Sequence, residues 1–258
     1  VWMHHLELAS QFLSNPWQTF FSEPLFPFRF NPVVNDMFAY GELVMADRRA
    51  SPRKDLLTVI AQSKLGDELL PQDFLDGSWL LIIFAGNDTS RNSLSGTIRL
   101  MTEFPDQRAM VLDDPSLIPK MSEEALRMVS PVIHMRRTAL EDTQLNGQKI
   151  AKDEKLVLWY GAGNRDSDIF PSPDTFNIHR DNVEKHIAFG HGVHKCLGSR
   201  IAKMQLRLAF ERIFDRFPNI HWTGKQTIAP NSLVHAISSL QVNLYGPNGK
   251  RATQIAVS

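Results

Sequence analysis

The sequence predicts a mainly α-helical fold with a minor β part, and three observations support this class. Residues 33–50, 70–104 and 197–217 carry apolar and polar side chains in a helical pattern. Short runs that resemble strands are confined to the part of the chain that follows residue 131. No internal repeat and no low-complexity tract is present, and no domain boundary is evident.

The composition is that of an ordinary globular protein. The 258 residues include 28 basic and 28 acidic side chains, and 43% are hydrophobic. The formal net charge of zero argues against a nucleic-acid-binding protein, which usually carries a basic excess. Cys196 is the only cysteine, which excludes an internal disulfide framework and favours a reducing, cytoplasmic compartment. The longest apolar run, Trp79 to Ala85, is far too short to span a bilayer, so we expect no membrane anchor.

The first elements are predicted to be helices on either side of an aromatic loop. Residues 1–14 have the pattern of a short amphipathic helix. Prolines interrupt a phenylalanine-rich stretch over residues 15–32, which predicts a loop that either packs on the core or covers an apolar ligand. Residues 33–50 and 53–64 are predicted to be helical.

The longest helix is predicted over residues 70–104. Its middle, Trp79 to Ala85, is apolar on every face, so we expect this part to be buried. The stretch Gly86-Asn87-Asp88-Thr89 that follows contains poor helix formers. It is either a kink that fits a bulky neighbour or a groove whose carboxylate and hydroxyl serve proton delivery.

The second half is predicted to mix short helices and strands. Two short helices precede a helix over residues 119–129, and the predicted strands are 132–135, 143–145, 156–160 and a terminal set within 226–245. Residues 161–195 have little periodicity, and so long an irregular stretch is usually functional.

Cys196 lies in a glycine-bearing loop at the start of the helix predicted over 197–217. Gly190 and Gly198 allow unusual backbone angles or close approach to a flat ligand. A helix N-terminus favours a thiolate, so the pattern predicts a cysteine ligand or nucleophile rather than a buried, inert thiol. The cramped spacing of His191, His194 and Cys196 disfavours zinc, whereas a Cys–His hydrolase stays open.

Glu124 and Arg127 lie three residues apart, which places both charges on one helix face. A surface ion pair and a partly buried structural pair are both consistent with this spacing.

In combination, these segments resemble the cytochrome P450 family. The segment Phe189 to Gly198 is similar to the haem-cysteine signature of that family, and Ala85 to Thr89 is similar to its oxygen-activation motif. Glu124-x-x-Arg127 resembles the Glu–Arg pair of the family's K helix. The resemblance begins near residue 33 and implies a cytochrome P450-like fold. We expect one haem-thiolate domain over residues 1–258 that is incomplete at its N-terminal side relative to the family.

The resemblance also implies roles for individual residues. Cys196 is expected to be the axial thiolate ligand of haem b iron. The other expected haem contacts are His194, Arg137, Phe189, Gly190, Gly198 and Ala85. Gly86 is expected to form the groove for dioxygen, with Asp88 and Thr89 as the proton relay. The expected substrate-pocket residues are Leu81, Phe84, Val132, Ile133, Leu233 and Val234.

The activity implied is hydroxylation of an unactivated C–H bond in an apolar substrate: an alkane, a fatty acid, a terpene or a sterol side chain. Dioxygen and two electrons from a ferredoxin and ferredoxin reductase-type donor are required. The basic residues expected to steer that donor are Lys195, Arg200, Lys203 and Arg207. The alternative is that these basic residues belong to an ordinary solvent-exposed helix face, where Glu211 and Asp215 balance their charge. A haem protein without turnover and a haem-free fragment are the competing functions.

One position departs from the family pattern. Thr175 occupies the place where the family often carries an arginine that completes the Glu–Arg network. Either threonine is tolerated there, or Arg180 or His179 supplies the missing charge.

Overall fold

A computed structural model describes the backbone of residues 26–245 and 252–256 and the side chains of residues 32–245. The helix predicted over 1–14 and the first part of the predicted aromatic loop, residues 15–25, lie outside the described residues. The chain forms two compact units, Val1–Asp88 and Thr89–Ser258. Their boundary falls within one continuous helix.

The described part of the first unit contains two helices, a small hairpin and the beginning of the long helix. In chain order these are α1 (Phe26–Ala50), α2 (Leu56–Ala61), β1 (Lys64–Leu65), β2 (Glu68–Leu69) and the first part of α3 (Gln72–Glu103). Its buried core consists of Met37, Met45, Ala61, Leu75 and Trp79.

Residues 26–32 form the first turns of α1, so the loop predicted for them is wrong. Pro27 falls in the first turn, where the missing N–H has no intrahelical acceptor to lose. Pro32 lies inside the helix, where it removes a single backbone hydrogen bond from a 25-residue element.

An N-cap fixes the start of α2. The Asp55 carboxylate accepts a hydrogen bond from the Thr58 backbone N–H at 2.7 Å and another from Arg48 Nε at 2.7 Å. The Thr58 hydrogen bond, followed by the Arg48 guanidinium, lowers the pKa of Asp55 to about 2. Because Arg48 belongs to α1, the cap also ties α1 to α2.

The expectation that the middle of α3 is buried on every face is wrong. Trp79 is 7% exposed and donates its indole N–H to the Met37 carbonyl at 2.9 Å, whereas Leu81 is 64% exposed and Ala85 is also exposed. Two residues correspond to about 200° around a helix, so Leu81 faces away from Trp79. Within this unit, the core therefore covers one side of α3.

The second unit continues α3 and adds the remaining elements. Its helices are α4 (Pro105–Asp113), α5 (Ile118–Val129), α6 (Tyr160–Gly163) and α7 (Ser199–Arg216). Short 3₁₀ turns occur at Pro115–Leu117, Val183–Lys185 and Gly192–His194. The strands are β3 (His134–Thr138), β4 (Thr143–Leu145), β5 (Gln148–Ile150), β6 (Lys155–Trp159), β7 (His221–Ala229), β8 (Ala236–Asn243) and β9 (Ala252–Ala256).

The pairs of named strands that the structure describes in this unit are antiparallel. β3 pairs with β6, β4 pairs with β5, and β7, β8 and β9 form a three-stranded sheet in that order. The predicted irregular stretch is confirmed in large part, because α6 and two 3₁₀ turns are the regular elements within it. None of the described helices is long and apolar enough to cross a membrane.

The core of the second unit lies between α3, α5, α7 and β8. Its fully buried members include Met121, Leu126, Leu206, Phe210 and Leu240. The helices α3 and α5 approach closely at Gly96, where an added Cβ would lie 2.6 Å from a methyl carbon of Val129. This core holds α5 and α7, and the candidate site lies on α5 and just before α7.

Candidate active site

The pair Glu124 and Arg127 is fully buried in α5. The side chains are 1% and 0% exposed, and Arg127 binds the carboxylate through both Nε and Nη2, each at 2.8 Å. The remaining N–H groups of Arg127 reach three backbone carbonyls in the irregular segment, those of Asn164, Pro173 and Thr175. All five guanidinium hydrogens therefore have acceptors, as a buried charge requires. Of the two readings of this spacing, the buried structural pair is correct.

Arg180 completes the network. Its Nε lies 3.0 and 3.2 Å from the two carboxylate oxygens of Glu124, and its other N–H groups bind the carbonyls of Pro171, Ser172 and Thr175. Thr175 contributes its backbone carbonyl, and His179 is exposed. Of the two substitutes that the sequence offers for the family arginine, the structure therefore selects Arg180.

A buried asparagine connects this network to the next segment. Asn164 is fully buried, donates its side-chain amide to Ser130 Oγ at 2.8 Å and accepts the Ile187 N–H at 2.7 Å. Ser130 ends α5 in the left-handed region at φ +43°. Sequence reasoning missed this link, although an asparagine within an irregular stretch is a signal for such backbone bridging. The link fixes the backbone two residues before Phe189.

Cys196 is held by the backbone of its own loop. Its N–H donates to the Phe189 carbonyl at 2.8 Å, and Gly190 adopts φ +70°, a left-handed angle that favours glycine. The helix α7 begins at Ser199, two residues later than predicted, with Gly198 as its N-cap. The thiol therefore precedes the helix, and it is exposed.

Exposed apolar side chains flank this thiol. Val193 is 98% exposed and Leu197 is 79% exposed, although both are large and apolar. An added Cβ on Gly198 would lie 3.9 Å from the Cys196 sulfur, so the glycine leaves space beside the thiol. Within the part of the chain that the structure describes, no group of three or more His, Cys, Asp or Glu side chains is arranged to hold a metal ion.

The two predicted pocket segments of the second unit lie against each other. Val132 forms an antiparallel bridge with Val234, and the Ile133 N–H donates to the Leu233 carbonyl at 2.8 Å. Val132, Ile133 and Leu233 are half-buried. Val234 is 2% exposed, so its side chain belongs to the interior.

Two of the expected haem contacts, Arg137 and His194, have polar side chains. Arg137 lies in β3, is half-buried and donates to the Arg136 carbonyl at 2.9 Å. His194 ends the 3₁₀ turn before Cys196 and is exposed.

The polar part of α3 crosses the boundary between the two units. In the first unit, Asp88 is 3% exposed, Ala85 and Gly86 are exposed, and Phe84 is half-buried. In the second unit, Thr89 is half-buried and its carbonyl accepts the Ser93 hydroxyl at 2.7 Å. The backbone stays helical throughout this stretch.

A family model described as Cytochrome P450 matches residues 112–243. The chain belongs to the cytochrome P450 family. The matched range contains α5, Arg180 and the Cys196 loop, which are the parts of the site just described.

Named relatives agree with this P450 assignment. The chain is 38% identical over 213 residues to linalool 8-monooxygenase of Pseudomonas putida, covering 82% of this chain and 52% of the relative. It is 33% identical over 215 residues to methyl-branched lipid omega-hydroxylase of Mycobacterium bovis, covering 83% and 50%. The solved cytochrome P450-153 from Novosphingobium aromaticivorans superposes with TM-score 0.74 at 37% identity, covering 86% of this chain and 55% of that one. The expected P450-like fold is confirmed, and the chain spans about half the length of the curated relatives it matches.

The residues around Cys196 fit haem b, which proteins of this family bind through a cysteine thiolate. A flat apolar ring would remove the exposed faces of Val193 and Leu197 from water, which is favourable. The exposed Cys196 lies between these two residues in the sequence, and the neighbouring Gly198 has no side chain to obstruct a ring. Donor set, shape and polarity are therefore consistent with this cofactor.

Proposed function

We propose that this P450 chain provides the haem-binding part of a monooxygenase that hydroxylates an unactivated C–H bond. The observation that carries the proposal is the Cys196 loop, whose exposed thiol and exposed apolar residues Val193 and Leu197 belong to a backbone held by Phe189. We treat residues 1–258 as one haem-thiolate domain. A cytoplasmic location is part of the proposal, because a single functional thiol suits a reducing compartment.

Haem b bound at Cys196 supplies the activation of dioxygen, and thiolate ligation favours O–O cleavage. The contribution of this chain to that ligation is geometric. The Phe189 carbonyl holds the Cys196 N–H at 2.8 Å, and the 3₁₀ turn before Cys196 is closed by the Lys195 N–H on the Gly192 carbonyl at 3.1 Å. A ligand on a fixed loop needs no reorganisation when it binds. His194 and Arg137 are proposed as the donors to the cofactor's carboxylates.

Proton delivery is proposed for Asp88 and Thr89. O–O cleavage consumes protons, and a carboxylate next to a hydroxyl on one helix is a short relay. Asp88 is 3% exposed, so its carboxyl group is shielded from bulk water. Gly86 is proposed to form the groove for dioxygen, since a glycine leaves the helix surface without a side chain at this position.

The proposed substrate is apolar and is attacked near a terminal carbon. The proposed lining residues are Leu81, Phe84, Val132, Ile133, Leu233 and Val234, and all of them are apolar. Such a lining offers no polar anchor, so shape and length select the substrate. The relatives whose names state an omega-hydroxylase and a linalool 8-monooxygenase support this class of substrate.

An acidic ferredoxin-type protein is proposed as the electron donor. Two of the four basic residues expected to attract it are engaged elsewhere, because Lys203 pairs with Glu123 and Arg207 pairs with Glu211. Lys195 and Arg200 are exposed beside Cys196 and are the cations proposed to steer the donor.

Product analysis tests the proposal. The purified chain, loaded with haem, is supplied with a ferredoxin, its reductase and dioxygen, and is offered linear alkanes, fatty acids, methyl-branched lipids and linalool in parallel. We expect terminal alcohols from at least one class, and no product from Cys196→Ala with the same haem supply.

Two outcomes would overturn parts of this proposal. Product formation that survives Cys196→Ala excludes thiolate ligation as the basis of activity. The chain is instead a binding or sensing protein if it binds haem and accepts electrons but forms no product. In that case Thr89→Ala should leave the rate of dioxygen reduction unchanged.

A further inference from the structure

Glu123 binds different partners from those of its neighbour Glu124. Its Oε2 lies 3.1 Å from Nε2 of His186, and its Oε1 pairs with Nζ of Lys203 on α7. The side chains of Glu123 and His186 are 23% and 4% exposed. Burial raises the pKa of Glu123, but hydrogen bonds from His186 and Lys203 outweigh it, so the pKa is lowered and the carboxylate stays charged.

The hydrogen bonds of His186 define its tautomer. The Ala188 N–H donates to Nδ1 at 3.2 Å, so Nδ1 carries no hydrogen. Nε2 therefore carries the hydrogen of the neutral ring and donates it to Glu123. A ring bonded at both nitrogens cannot rotate without losing one of the two bonds.

Both partners of Glu123 contact Phe189. The His186 ring lies 5.8 Å from the Phe189 ring, centroid to centroid, at 47°. Nζ of Lys203 lies 5.6 Å from the same centroid, within the range of a cation–π contact. Because the Phe189 carbonyl holds the Cys196 N–H, a shift of Phe189 changes the backbone that carries the thiol.

We propose that Glu123 is a positioning residue for the Cys196 loop, acting through His186 and Lys203 on Phe189. The carboxylate orients the imidazole and the ammonium, and both of these groups contact the aromatic ring. The role at the haem rests on the proposed haem-thiolate function, whereas the hold on the loop does not.

The charges of this cluster give the proposal an electrical consequence. Glu123 and Lys203 form one pair close to the thiol loop, so their charges offset each other there. Removing the anion leaves an uncompensated cation, which favours the reduced cofactor, and removing the cation has the opposite effect. A purely structural role would shift the ferric–ferrous midpoint potential in the same direction in both variants.

Spectroelectrochemistry of the haem-loaded chain measures this effect. We expect Glu123→Gln to raise the ferric–ferrous midpoint potential and Lys203→Met to lower it. Each shift corresponds to about a threefold change in the one-electron equilibrium, or about 30 mV. The double variant should return close to the wild-type value, and Lys203→Arg should retain it. Arg207→Met and Glu211→Gln are matched controls, because they break an exposed pair one turn farther along α7 and should shift the potential less.

Hydrogen exchange provides a readout that is independent of haem. The Cys196 amide should exchange about tenfold faster in Glu123→Gln and Lys203→Met than in the wild type, and at the wild-type rate in Lys203→Arg and in both controls. A chain without a Soret band would overturn the proposed function and leave this test intact. Unchanged exchange at Cys196 in both variants would overturn the positioning role, and potential shifts of the same sign would overturn the charge effect assigned to the Glu123–Lys203 pair.

Discussion

The Nε–H of Arg180 is shared between the two carboxylate oxygens of Glu124, at 3.0 and 3.2 Å, five residues beyond Thr175. Its side chain is 6% exposed, so this is a buried charge contact. Two arginines thus share one carboxylate, and their remaining N–H groups bind five different backbone carbonyls from residue 164 to residue 175. The network fixes an irregular segment that few regular hydrogen bonds support, and that segment leads into the Cys196 loop.

Loss of Arg180 is expected to destabilise the chain strongly. Arg180→Ala removes one of two cations from the buried Glu124 carboxylate and leaves carbonyls of the irregular segment without donors. We expect a loss of about 3 kcal/mol in the free energy of unfolding, measured by denaturant titration. Thr175→Val is the control, because Thr175 enters the network through its backbone carbonyl, and it should change stability by less than about 0.5 kcal/mol. Equal stability of Arg180→Ala and the wild type would contradict the role of Arg180.

Alanine substitutions at two glycines of α3 are expected to change stability in opposite directions, because Gly96 lies close to α5 whereas Gly77 has open space beside it. Gly96→Ala would bring Cβ to 2.6 Å from a Val129 methyl carbon, and a β-branched neighbour cannot easily rotate away. We expect a loss of about 1–3 kcal/mol. Gly77→Ala meets nothing within 4 Å and should gain about 0.5–1 kcal/mol from the better helix former. Thermal unfolding of the two variants, followed by circular dichroism, checks the pair, and a stabilising Gly96→Ala would contradict the packing described.

The Asp55 cap predicts a pH dependence in the first unit. The folded-state pKa of about 2 lies below the ordinary value of 3.8, so the stabilisation is fully present above pH 4 and is lost as the pH falls through 2. Asp55→Asn keeps a capping side chain but removes the charge. We expect the difference in stability between wild type and Asp55→Asn to narrow between pH 4 and pH 2 in urea titrations. A difference that stays constant over this range would contradict the charged cap.

Thr89 is predicted to control the coupling of electrons to product. Thr89→Ala removes the proposed proton-relay hydroxyl, and we expect product formation to slow about 100-fold while electron consumption continues and hydrogen peroxide is released. Thr89→Ser keeps the hydroxyl and is expected to preserve coupling. Simultaneous assays of product, peroxide and reducing equivalents decide the matter, and tight coupling in Thr89→Ala would exclude this role.

The sequence predicts the class of fold because helical periodicity and strand patterns are local. The helices near 70–104 and 119–129 and the strand at 143–145 lie within about two residues of their expected positions. Burial was less predictable, since the exposed Leu81 depends on which elements pack against α3. The proline rule failed at residues 26–32 because Pro27 lies in the first turn of α1, which tolerates proline, and Pro32 removes only one backbone hydrogen bond from a 25-residue helix.

The site was predictable where a short spacing carries the chemistry, as at Glu124 and Arg127 or in the glycine-bearing Cys196 loop. The choice of Arg180 over His179 depends on how the irregular segment folds back on α5, which no local pattern encodes. The same is true of Glu123, whose partners are His186, which lies 63 residues away, and Lys203 on α7. Long-range contacts of this kind follow from the tertiary structure alone.

The absorption spectrum of the dithionite-reduced chain with carbon monoxide tests the central claim most directly. Haem ligated by the Cys196 thiolate predicts a strongly red-shifted Soret band for the wild type. Cys196→Ser, which changes the donor atom and little else, should lose that shift. A Soret band at the same position in the wild type and in Cys196→Ser, or no Soret band after haem has been supplied, would contradict a haem-thiolate centre at Cys196.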